Sequence, residues 1–171
     1  MVHDSRGNGS RGAEGGQASI GGRRDRGVVE EGLGTRVFLA DTSAWARADD
    51  PAVSARWAAA LRADQIVTTS IVVLELLYST RDSAELEEEE GRLARLRSIP
   101  LTQSVTGAAR AAMRDLSEVA PRYHRIPPTD FLIAAAAQEA SIGVLHYDRH
   151  FDRLAEVLEF ESCWIAPAGV L

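Results

Sequence analysis

From residue 37 to the end of the chain, short apolar runs alternate with longer amphipathic stretches, the pattern of an α/β domain on a mostly parallel sheet. A strand is predicted over 36–40, followed by a helix containing Trp57, Ala60 and Leu61. A second strand around 65–68 runs through Thr69-Ser70, a hydroxyl pair suited to capping, into a helix that carries Glu75. Leu86, Leu93 and Leu96 mark the next helix, together with the acidic run Glu87 to Glu90. Residues 102–120 place Ala108, Ala112, Met113 and Leu116 at helical spacing. Pro127-Pro128-Thr129 punctuates the start of an apolar helix over 130–140. A strand at 142–146, a short helix at 150–158 and a strand at 160–165 complete the domain.

Four carboxylates break this pattern. Asp41 closes the run Val37-Phe38-Leu39-Ala40, Glu75 lies inside Ile71 to Leu77, Asp130 opens Phe131 to Ala137, and Asp148 follows Ile142 to Tyr147. Acids at the edge of a core repel one another unless something positive joins them. Asp41 and Asp148 directly follow predicted strands, so both emerge at the carboxyl edge of the sheet, where open parallel sheets bind ligands. Glu75 and Asp130 sit on helices that begin at that edge, and the helix dipole favours an ionised Asp130 in its first turn. Oxygen-only ligation suits Mg²⁺ or Mn²⁺ rather than zinc, and the chemistry that most often uses it is phosphodiester hydrolysis. Each acid also has an ordinary reading. Asp41 caps a turn, Glu75 faces solvent, Asp130 is a helix-start acid, and Asp148 and Asp152 are turn and capping residues.

Length and composition narrow the setting. With 171 residues and 45% hydrophobic content, one core is expected. Ten of the 14 glycines fall in the first 36 residues. That composition predicts a disordered Gly/Arg-rich extension over residues 1–35 and a folded domain over 36–171. All 19 basic residues are Arg, and the folded part is acidic. This argues against a broad basic surface for nucleic acid, and leaves binding through metals and a few arginines. The lone Cys163 has no internal disulfide partner, no apolar stretch is long enough to span a bilayer, and residues 1–35 lack the apolar core of a signal peptide. A cytosolic protein without membrane contact is expected.

The chain resembles the PIN-domain endoribonucleases, specifically the VapC-type toxins of bacterial toxin–antitoxin pairs. The likeness rests on Val37 to Ala44 with its Asp41, Thr69 to Leu76 with its Glu75, Pro128 to Ala136 with its Asp130, and Leu145 to Asp152 with its Asp148. It implies a three-layer α/β/α fold with a central mostly parallel sheet and cleavage of RNA dependent on Mg²⁺ or Mn²⁺, with transfer or ribosomal RNA as substrate by analogy. Asp41, Asp130 and Asp148 would then hold metal, and Glu75 would ligate or orient the hydrated ion. Ser43 matches the family's hydroxyl, and Asp152 an additional acid. His150 departs from the pattern, standing where relatives often have an acid. The resemblance also implies a homodimer and a cognate antitoxin that blocks the site, and Glu87 to Glu90 offers a place for a basic partner segment.

Other readings stay open at this level. A phosphatase with Asp41 as nucleophile would want a second Asp two residues on, where Ser43 stands. A non-cleaving RNA- or partner-binding domain would keep the acids without the activity. Arg149 is placed to hold a phosphate or to pair with a carboxylate, and His146, closing an apolar strand, reads as a core residue.

Overall fold

The computed structural model describes residues 27–28 and 34–171. The extension expected over residues 1–35 therefore lies outside the described residues, apart from Gly27, Val28, Gly34 and Thr35. Among the described residues six strands form one sheet: β1 (Gly27–Val28), β2 (Phe38–Ala40), β3 (Ile66–Thr69), β4 (Ser98–Ile99), β5 (Gly143–His146) and β6 (Ser162–Trp164). Their spatial order is β1-β6-β5-β2-β3-β4, and every pairing is parallel. The helices are α1 (Thr42–Trp45), α2 (Ser54–Arg62), α3 (Ser70–Tyr78), α4 (Ser83–Leu93), α5 (Gln103–Val119), α6 (Pro128–Glu139) and α7 (His150–Leu154). They complete the three-layer α/β/α fold, with helices flanking a parallel sheet.

The central strand shows why the sequence folds this way. Phe38, Leu39 and Ala40 are all fully buried, as a parallel strand covered on both faces requires. In register they face Ile66 and Val67 of β3 on one side and Gly143, Val144 and Leu145 of β5 on the other. Gly143 is fixed by that contact, because a Cβ there would come within 2.5 Å of the Phe38 ring. α6 is apolar nearly all round. Phe131 and Ile133 through Ala137 are buried in it, and their small side chains let it pack closely against the Val105, Ala109, Ala112 and Leu116 stripe of α5.

Local chemistry sets the helix starts. Thr69 caps α3 by accepting from the Val72 amide, Thr102 caps α5 by accepting from the Val105 amide, and Pro128 occupies the first turn of α6, where its missing N–H costs nothing. Several boundaries differ from the sequence reading. α4 ends at Leu93 rather than running through Leu96, because the chain turns there to bring β4 beside β3, the Thr68 amide donating to the Arg97 carbonyl at 3.0 Å. β4 itself is two residues long and carries no apolar run, so periodicity gives it no signal. α7 stops at Leu154 rather than at 158, and β2 begins at Phe38 rather than at Arg36.

From β2 the chain steps to β3 and β4 on one side, while β5 and β6 build the other. The strand order therefore reverses between β2 and β5. Beyond their carboxyl ends a crevice must open, and the next residues of the chain after those strands stand in it.

Candidate metal centre

Asp41 follows β2 and is anchored to the neighbouring strand, its amide donating to the Leu145 carbonyl at 2.9 Å. Its side chain is nearly buried and caps α1, accepting from the Ser43 amide at 2.8 Å. The capping role and the site role thus fall on one residue. The Ser43 hydroxyl accepts from the Tyr147 amide at 2.9 Å, which ties the turn after β2 to the end of β5. Thr42 donates its hydroxyl to Glu75 at 3.2 Å, holding the α3 carboxylate toward the same crevice.

Asp130, in the first turn of α6, is buried, with the Thr129 hydroxyl at the limit of contact with it. Asp148 stands in the turn between β5 and α7. Its Oδ1 accepts from the His150 amide at 2.9 Å, so the turn folds back and brings the His150 ring over the acids. His150 Nδ1 lies 3.0 Å from Asp130 Oδ2 and 3.3 Å from Asp148 Oδ2. These three residues offer ligand atoms within 4.8 Å of one another. Asp41, Ser43, Glu75, Asp130 and Asp148 line an open cleft of about 710 Å³, with Glu85, Glu89 and Arg92 of α4 on its wall.

The acids are electrostatically unsettled. Burial, followed by the charges of Asp41, Asp148 and Glu75, pushes the Asp130 carboxyl up to about 7. Asp41 is also raised, chiefly by burial and partly by Glu75, while hydrogen bonds from Ser43 pull the other way. Among the described residues no arginine forms an ion pair with any of the four carboxylates; those that pair do so with Glu85, Glu89 and Glu161. Converging oxygen donors without an arginine partner fit a hard divalent cation; Asp130 and Asp148, with His150, bring ligand atoms within 4.8 Å of one another, and Asp41 lines the same cleft.

Two expected members are not brought into this cluster. Asp152 turns to the other side of α7, where it accepts from the Ser162 hydroxyl at 2.8 Å and from the Trp164 indole at 3.2 Å. Arg149 is exposed at the N-cap of α7, in a separate depression beside Tyr147 and Trp164. His146 is the expected core residue, fully buried and lowered to about 4 by that burial. Its Nδ1 accepts from the Asp148 amide at 3.2 Å, which puts its proton on Nε2, 2.7 Å from Ser162 Oγ. The sequence reading gave His150 no place among the site residues and did not single out Thr42. A signal for the turn that carries His150 existed in the spacing, since an Asp in a turn accepts from the amide two positions on, as Asp148 does from His150.

Comparison with known proteins adds independent findings. The PIN domain family model matches residues 38–157. Ribonuclease VapC18 of Mycobacterium tuberculosis is 40% identical over 136 residues, covering 79% of this chain and 99% of that protein. Ribonuclease VapC51 of the same organism is 36% identical, covering 78% of this chain and 96% of that protein. In fold, the chain is similar to the crystal structure of VapBC2 from Rickettsia felis bound to a promoter DNA fragment, with a TM-score of 0.59 at 18% identity, covering 75% of this chain and 98% of that one. It is also similar to VapBC-5 from Mycobacterium tuberculosis, with a TM-score of 0.56 at 19% identity, covering 75% and 97%.

Proposed function

The chain belongs to the PIN-domain family, among relatives named VapC ribonucleases, and from that premise we propose that it is a Mg²⁺- or Mn²⁺-dependent endoribonuclease acting as the toxin of a toxin–antitoxin pair. The observation that carries this reading is the meeting of Asp41, Glu75, Asp130 and Asp148 in one cleft where, among the described residues, no arginine pairs with them. In it Asp41 and Asp130 are the principal metal ligands and Asp148 completes the set. When bound, the ion supplies Lewis-acid charge that makes water a better nucleophile and steadies the developing negative charge of the phosphate.

The chain's own residues do the positioning. Ser43 fixes Asp41 through its amide and the β5 end through its hydroxyl. Glu75, steadied by Thr42, orients the attacking water. Asp130, raised by burial and by the neighbouring acids, would give up its proton as the cation arrives and add its charge to theirs. Because Asp41, Glu75, Asp130 and Asp148 line the cleft without an arginine partner among the described residues, an RNA phosphate is repelled from it until the ion offsets the acids.

An antitoxin and a second copy of the chain are the proposed partners. Leu74 and Tyr78 of α3 and Leu86 of α4 are exposed, a density of apolar side chains that suits a protein contact. Residues 36–171 carry the nuclease chemistry, and of the residues before them Gly27 and Val28 add strand β1 to the edge of the sheet. Among the described residues no helix is long and apolar enough to cross a membrane.

The test is cleavage of a total RNA pool by the purified chain. Mn²⁺ or Mg²⁺ should support it and EDTA should stop it. Absence of cleavage with either ion removes the enzyme reading and leaves a binding domain.

A further inference from the structure

We infer that His150 is a ligand of the metal in this centre, so that the ion is held by nitrogen as well as oxygen and the chain selects Mn²⁺ over Mg²⁺. The inference rests on the metal-dependent reading above and concerns which atoms hold the ion.

Three observations carry it. His150 Nδ1 faces carboxylates from two separate elements, Asp130 of α6 at 3.0 Å and Asp148 of the β5–α7 turn at 3.3 Å. A single ring nitrogen can donate to only one of the two Oδ2 atoms at a time, so the other goes without that bond. An ion between the three atoms satisfies all of them, with the imidazole proton carried on Nε2. The spacing from the ring nitrogen to each acid is also that of neighbouring ligand atoms. Atoms about 2.1 Å from one octahedral ion, at right angles to each other, stand about 3.0 Å apart.

The ring is also fixed in place. The His150 amide is bonded to Asp148 Oδ1, so the side chain starts from a braced turn at the beginning of α7 and reaches the acids without leaving it. Its side chain is 26% exposed, which leaves room for solvent or substrate on the far side of the ion. Exchanging one oxygen for an imidazole nitrogen disfavours Mg²⁺, a hard ion that prefers oxygen, and favours Mn²⁺ and the later divalent metals.

Pulsed electron paramagnetic resonance on the Mn²⁺-loaded full chain reads the ligand directly. The expected spectrum shows ¹⁴N modulation from a bound imidazole, absent from both His150→Asp and His150→Gln. In competition titrations, His150→Asp should lower the ratio of Mn²⁺ to Mg²⁺ affinity by about tenfold. Mn²⁺ bound at the centre without nitrogen modulation in the unsubstituted chain overturns the inference, whatever the variants do. If that chain still cleaves RNA, only the histidine assignment falls. If it neither binds Mn²⁺ nor cleaves RNA, the metal-dependent reading falls with it.

Discussion

The amide of Tyr147 donates to the hydroxyl of Ser43 at 2.9 Å, joining residues 104 positions apart. This bond closes the turn after β2 onto the end of β5, and so sets the spacing of the two strand-end acids, Asp41 and Asp148. Removing the hydroxyl leaves a partly buried amide unpaired, which costs about 1 to 3 kcal/mol. Ser43→Ala should therefore lower the denaturation midpoint and weaken metal binding, while the Ser43 amide still holds Asp41. Unchanged stability and unchanged ion affinity would show that the bond does not set the acid spacing.

Asp130 should trade stability for activity. It is buried and held among like charges, so Asp130→Asn removes a desolvated charge and its repulsion and should stabilise the metal-free chain at pH 8 by about 1 kcal/mol or more. The same change removes a proposed ligand and should slow RNA cleavage by roughly a hundredfold or more. Thermal unfolding in EDTA and a cleavage assay check both halves. A variant that is less stable without metal contradicts the electrostatic account.

The pH dependence follows from the same residue. With its folded value near 7 and an unfolded value of about 3.9, Asp130 binds more protons folded than unfolded between those limits. Raising the pH from 4 toward 7 therefore removes stability from the metal-free chain, by up to about 1.4 kcal/mol per pH unit, and the loss levels off above 7. Asp41, raised as well, acts in the same direction. Because an arriving cation displaces the Asp130 proton, its affinity should rise about tenfold per pH unit up to about pH 7 and then flatten. The measurement is the difference between the chain and Asp130→Asn across pH 5 to 8.5. A difference that does not vary with pH would place the raised carboxyl elsewhere.

Much of this centre is readable in the sequence because each acid interrupts an apolar run that is itself an element. Asp41 and Asp148 are legible as strand-end residues, and Pro127-Pro128 announces the helix that presents Asp130. The centre's hydrogen bonding is less legible. Nothing local says that Thr42 reaches Glu75, or that the Ser43 hydroxyl serves the Tyr147 amide, since both depend on which strands are neighbours. The sheet edge is obscure for a different reason. β4 is two residues with no alternating pattern, and only its pairing with Thr68 and Thr69 makes it a strand. His150 and Asp152 show the limit of motif reasoning. Two positions apart near the start of a short helix, they point to opposite sides, so the acid of the pair faces Trp164 and the imidazole faces the metal cleft.

Gly143 is expected to tolerate no side chain. The Cβ of Gly143→Ala would lie 2.5 Å from the Phe38 ring, which is fully buried in the central strand, and 3.1 Å from the Glu161 carbonyl. Overpacking of this kind typically costs about 1 to 3 kcal/mol. Calorimetry should show a lower unfolding temperature, and Phe38→Leu in the same chain should recover part of the loss by making room. No rescue would mean that the backbone contact dominates.

Asp152 separates a structural acid from a metal-binding one. It accepts from Ser162 Oγ and from the Trp164 indole, and through Ser162 it continues a chain of hydrogen bonds to His146 and the Asp148 amide. Asp152→Ala leaves the indole and the hydroxyl without their acceptor, at a cost of about 1 to 2 kcal/mol given their partial exposure. That corresponds to a fall of roughly 3 to 10 °C in unfolding temperature for a domain of this size. The effect on ion affinity should stay within about tenfold, because Asp152 acts only through the backbone that carries Asp148. Asp41→Asn, by contrast, should lose about a hundredfold in cleavage with little change in folding. If Asp152→Ala instead cleaved RNA a hundred times more slowly at an unchanged unfolding temperature, the acid would have to be counted within the centre, and α7 would have to present it there when RNA is bound.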